Sequence, residues 1–167
     1  MIKSILTLLF LLTASFTING QSNKLQDFYN YDPVLEHRVD EVFHLLNDTT
    51  RVAQMIVTSA GELGKPINTV LSLARENKIG GIVFLKGTKQ AHKKLIDSLN
   101  IISNSLNQIP LLYSIDAEPS LFNGRLKGTK PIMNTIDIKS IQQSDSIARI
   151  INHELLAIGF HQNFAPV

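Results

Sequence analysis

The sequence has no cysteine. That absence removes disulfides, thiolate nucleophiles, cysteine-ligated zinc and a lipid-modified amino-terminal cysteine together. It also has little excess charge of either sign. Its 16 Lys and Arg stand against 14 Asp and Glu, a net of +2, and they are spread along the chain without the clustered basic face that phosphate binding needs. Nucleic acid is not an expected partner. What is present is 44% hydrophobic residues in a chain of 167, which suits one globular domain and excludes a disordered tail. Without disulfides such a domain is held by its core alone, which favours a large α/β domain over a small stapled one.

Residues 1–20 read as a secretory signal peptide: Lys3 gives the positive start, Ile5 to Phe16 the apolar centre, and 17–20 a small, polar end with cleavage near Gly20. The apolar centre is short for the ~30 Å of a bilayer core, so a membrane anchor is the alternative and not the first reading. The chain is expected to be exported, to a periplasm or outside the cell. Residues 21–33 are polar and without period, a leader segment preceding a domain over 34–167.

Along that domain the pattern alternates. Leu35, Val39, Val42 and Leu46 form a helical stripe begun by Asp32-Pro33, and Asn47 and Asp48 can cap a further turn through Gln54. Met55-Ile56-Val57 is the expected first strand, followed by a loop with Gly61, Gly64 and Pro66. Ile67, Val70, Leu71 and Ala74 give a helix, Ile82 to Leu85 a buried strand, and Ala91, Leu95, Leu99, Ile102 and Leu106 a longer helix capped by Thr88. Leu111 to Ile115, entered through Pro110, is the third strand. A long loop from Glu118 to about Thr135 precedes a helix marked by Ile147, Ile150, Ile151, Leu155 and Ile158, ended by Gly159; Asn163 to Val167 begins a fourth strand. The repeated unit is βαβ, and runs apolar on both faces suit parallel strands.

Chemistry is expected just past the carboxyl ends of such strands. Asp116 stands there, able to accept charge-assisted hydrogen bonds from hydroxyls, or else to cap backbone amides. Glu118 lies two residues on; paired carboxylates suggest glycosidase chemistry, but on a turning loop nothing fixes their separation, so a solvated or arginine-paired Glu118 is preferred. Arg125 can bind an anionic or hydroxyl-rich ligand with its planar fork, or pair with Glu118. The histidines at 37, 44, 92, 153 and 161 are scattered and read as surface polar residues; His153-Glu154 starts like a zinc-protease motif, but position 157 is Ala where the second His must stand. Gly80-Gly81 precede a strand, so they do not cradle phosphate in the Rossmann manner and are expected to let the chain turn tightly into the sheet.

Four blocks in order resemble the amino-terminal domain of glycoside hydrolase family 3, which contains bacterial β-N-acetylglucosaminidases and β-glucosidases. They are Arg51 to Met55, Lys78 to Phe84, Pro110 to Glu118, and Glu154 to Phe160 running into Asn163 to Val167. The resemblance implies a (β/α)8 TIM-type barrel, of which this chain holds the amino-terminal portion, and retaining hydrolysis of terminal β-linked N-acetylglucosamine or glucose. It implies that Asp116 binds sugar hydroxyls, with Arg125 and Glu118 as further substrate-binding candidates. The sequence departs from the family at Pro119 and Ser120, where two glycines are usual, and at Gly124, where the family arginine aligns one place before Arg125.

The family's nucleophile and acid/base groups fall downstream, so no catalytic residue is expected within the chain and it is expected to be inactive alone. No cofactor and no metal are implied. The expected partner is a β-linked oligosaccharide or a peptidoglycan-derived sugar. The rival reading is a non-catalytic carbohydrate-binding or scaffold α/β protein.

Overall fold

The computed structural model describes residues 29–165. The expected signal peptide, most of the leader, and Pro166-Val167 at the tip of the expected fourth strand lie outside the described residues. The described residues divide into two units, 29–40 and 41–165. In the first, Asp32 opens helix α1 (Pro33–Leu45) by accepting the Val34 and Leu35 amides on Oδ1 at 2.9 and 3.2 Å. This is the capping that an Asp directly before an N1 proline provides. No residue of α1 is buried.

The second unit carries the sheet. Helix α2 (Asp48–Ala53) is capped by Asn47, whose Oδ1 accepts the Thr50 amide at 2.9 Å. Strand β1 is Val57–Ala60, two residues later than the apolar pattern suggests. Met55 and Ile56 are instead spent finishing the helix, their amides donating to the Val52 and Ala53 carbonyls at 3.0 Å. There follow α3 (Ile67–Arg75), β2 (Gly81–Phe84), β3 (Gly87–Thr88), α4 (Lys89–Ser105), β4 (Leu112–Ile115), α5 (Pro119–Arg125), β5 (Leu126–Lys127), a 3-10 turn at Thr135–Asp137, α6 (Ile141–Ile158) and β6 (Gln162–Asn163). The stretch expected to be a long loop after Glu118 thus holds a helix and a short strand. Pro119 at its first position and Phe122, wholly buried, account for that helix.

β1, β2, β4 and β6 form one four-stranded sheet in that order, every pair parallel; β3 and β5 pair separately. This is an α/β fold with an open parallel sheet among the described residues. The register sets Thr58, Ile82 and Tyr113 in one row and Ala60, Phe84 and Ile115 in the next, all buried. Because side chains alternate across a strand, these rows share a face. On it pack Val70 and Ala74 of α3, Leu95, Ile96 and Leu99 of α4, and Ile151, Leu155 and Ile158 of α6. The other face carries Val57, Val83 and Leu112, of which Val57 and Leu112 remain about half exposed. Gly80 lets β2 begin against α2: a Cβ there would stand 2.1 Å from the Gln54 carbonyl oxygen.

Candidate functional site

All four strands of the larger sheet end at the same edge, and Asp116 is the first residue beyond β4. Its placement follows from short-range causes. Ile115 is fully buried and paired with Phe84 on one side and Asn163 on the other, which fixes the strand to its last residue. Glu118 then takes an extended conformation as the cap before Pro119, and its carbonyl accepts the Leu121 and Phe122 amides at 2.9 and 2.8 Å. Phe122 anchors α5 in the core, and the helix brings Arg125 back to the loop it started from.

Arg125 Nη1 meets Asp116 Oδ2 at 2.5 Å and also lies 3.3 Å from the Asp116 carbonyl oxygen. Both side chains are about a third exposed, so the pair lines the surface without being solvent-flooded. Asp116 Oδ1 is different: it is buried and has no hydrogen-bond partner among the described residues. A buried carboxylate oxygen left without a donor is costly to the fold.

The loop is also held from β6. Asn163 Oδ1 accepts the Ala117 amide at 2.9 Å, and its Nδ2 donates to the Ala117 carbonyl at 3.4 Å. Beneath the loop, Tyr113 stacks on His161, whose Nδ1 accepts the Tyr113 amide at 3.1 Å. The Tyr113 hydroxyl donates to Asn100 Oδ1 at 2.8 Å, and burial pushes its pKa up to about 12. This phenol is therefore a structural donor and no acid at neutral pH.

Of the three candidates from the sequence, the structure brings Asp116 and Arg125 together. Glu118 stands apart, its carboxylate making no hydrogen bond or ion pair among the described residues; of its two readings, solvated or paired with an arginine, the pairing is not formed, because Arg125 is taken by Asp116. A cavity of about 280 Å³ adjoins the loop, lined by Ala117, Pro119, Asn163 and Ala165 against α6; the Asp116 carboxylate is not among its lining groups. A larger hollow of about 800 Å³, lined by Val52, Ile56, Val57 and Ile79, lies at the opposite ends of the strands, away from every charged group of the candidate site.

Asn163 carries no pattern that announces its role, since only the fold sets it beside Ala117. His92, expected as a surface polar residue, is instead buried: it stands three and seven residues before Leu95 and Leu99, on the buried stripe of α4. Its ring packs edge-on against Phe84 and Phe160, and burial lowers its pKa below the ordinary 6.5 against weaker opposing effects of the Leu85 backbone and Glu62. Glu154, in the failed zinc-protease pattern, binds Lys89 Nζ at 2.6 Å and the Lys130 amide at 3.2 Å, tying α6 to α4. Among the described residues no three His, Asp or Glu side chains converge to hold a metal, and no helix is long and apolar enough to cross a membrane.

No protein-family model matches the sequence, and no curated protein matches it either. Among solved structures, the chain is similar to a glycoside hydrolase family 3 beta-N-acetylglucosaminidase from Paenibacillus sp. str. FPU-7. The TM-score is 0.62 and the identity 26%, over 72% of this chain and 24% of that one. The chain thus spans about a quarter of the protein it resembles.

Proposed function

We propose that this chain forms the amino-terminal part of a (β/α)8 barrel in an exported glycosidase of family 3 type, acting with retention on terminal β-linked N-acetylglucosamine. The observation that carries the reading is the Asp116 carboxylate at the carboxyl end of β4, about a third exposed and gripped through Oδ2 by Arg125. Arg125 takes one acceptor position of that carboxylate, and a carboxylate has further positions for a neutral donor, of which a sugar hydroxyl is one. A carboxylate holding ring hydroxyls orients the sugar and tightens on it as positive charge develops at the anomeric carbon.

The similarity to a beta-N-acetylglucosaminidase supports the choice of sugar. The nucleophile and the acid/base group belong to other residues, so this chain by itself binds without turning over. In a cell envelope, a peptidoglycan-derived sugar fits that role. The test is an NMR titration of the purified chain with N-acetylglucosamine, beside Asp116→Ala and a chromogenic β-N-acetylglucosaminide assay. Shifts confined to the loop around Asp116, lost in the variant, with no turnover, are expected. Equal binding by Asp116→Ala, absence of binding, or turnover by the chain alone overturns the reading.

A further inference from the structure

The peptide joining Asp116 to Ala117 is gripped at both of its polar groups. Its N–H donates to Asn163 Oδ1 at 2.9 Å, and its C=O lies 3.3 Å from Arg125 Nη1. Arg125 reaches on to Oδ2 of the same Asp116, so one guanidinium holds the residue by backbone and side chain. Asn163 is itself fixed: it lies in β6 opposite Ile115, the Phe164 amide donates to the Ile115 carbonyl at 2.9 Å, and its Oδ1 also receives the Ala165 amide at 3.3 Å. The two supports come from different elements, β6 and α5, and meet on one peptide plane. Rotating that plane moves the carbonyl that Arg125 touches, and the same nitrogen holds Oδ2, so the orientation of the peptide and that of the carboxylate are linked through the guanidinium.

We infer that Asn163 is a positioning residue for the sugar site: it locks the 116–117 peptide so that Arg125 keeps its hold on the Asp116 carbonyl and Oδ2 together, and the carboxylate keeps one orientation at the end of β4. The inference rests on the proposed sugar-binding role of Asp116. A side chain that merely satisfied a buried amide would leave the Asp116–Arg125 geometry intact when removed. A positioning side chain would not, because the guanidinium is shared between the peptide it steadies and the carboxylate it grips.

The experiment is Asn163→Ala, which removes both the oxygen that receives the Ala117 amide and the NH2 that reaches its carbonyl. The readouts on the purified chain are affinity for N-acetylglucosamine and the resolved guanidinium NMR signals of Arg125, which sharpen when its rotation is restrained by an ion pair. Asn163→Ala is expected to lose about tenfold in affinity, the scale of one lost hydrogen bond, together with the restrained Arg125 signals. If Asn163→Ala lowers the melting temperature but keeps the Arg125 signals, the positioning role is wrong. If the unmutated chain binds no sugar, the functional reading fails, while the guanidinium signals still decide whether Asn163 sets the Asp116–Arg125 geometry.

Discussion

Gly87 lies flat against the ring of His92. A Cβ added at position 87 would stand 2.3 Å from His92 Cε1 and 2.7 Å from Nε2. The ring has no room to slide, since Phe84 and Phe160 pack against it with centroids 5.0 and 6.2 Å away. His92 also faces Gly61, so the ring sits beneath the two loops that leave β1 and β2. Gly87→Ala is therefore expected to destabilise the fold by about 2–3 kcal/mol, the upper part of the usual overpacking cost. Denaturant unfolding of the variant checks it, and an unchanged midpoint would show that the ring yields.

Gly124 gives the opposite sign. It sits inside α5, without a positive φ, and a Cβ there meets nothing within 4 Å. Gly124→Ala is expected to stabilise by about 0.5–1 kcal/mol, through helix propensity and a less flexible unfolded chain. The same unfolding measurement on both variants should move the midpoint in opposite directions.

These two glycines also mark where the sequence was readable. Ile82 to Leu85 declares a buried strand by composition, and β2 lies one residue from that expectation. Gly159 declares the end of α6, and it adopts φ 106° as a left-handed cap should. β1 was harder because its residues, Val-Thr-Ser-Ala, are small or polar, while the more apolar Met55-Ile56 beside them are hydrogen-bonded to the helix before. α5 was missed because Pro119, Ser120, Asn123 and Gly124 read as a loop, and only the burial of Phe122 makes them helical. Asp116 was found from its place after a strand. Its grip by Arg125 and Asn163 was not, because each bond joins elements whose proximity exists only once the sheet has formed.

Acidification should weaken the fold in two separate windows. The unfolded chain takes up a proton on His92 near pH 6.5, whereas burial keeps the folded ring neutral to lower pH. The folded state thus binds fewer protons, so this contribution is fully present above about pH 6.5 and declines as pH falls from there toward the folded pKa. Glu154 acts lower: Lys89 holds its pKa below the ordinary 4.5, so its contribution is present above that value and is lost beneath it. Melting temperature measured from pH 7.5 to 5 is expected to fall in the unmutated chain and to lose that slope in His92→Gln. A slope that survives the substitution would mean another group titrates there.

The Asp116–Arg125 pair should show strong non-additivity. Removing Arg125 leaves a carboxylate with one oxygen already buried and partnerless, now without the cationic contact it has among the described residues. Removing both side chains takes away the stranded charge along with its partner. Arg125→Ala is therefore expected to cost about 1–2 kcal/mol, and the double variant Asp116→Ala/Arg125→Ala to be at least as stable as that single one. A coupling of about 0.5–2 kcal/mol in the unfolding cycle is the expected size for a partly exposed, charge-assisted contact. Additive effects would mean that the guanidinium spends its time in solvent, and that Asp116 presents both oxygens, not one, to whatever binds at the end of β4.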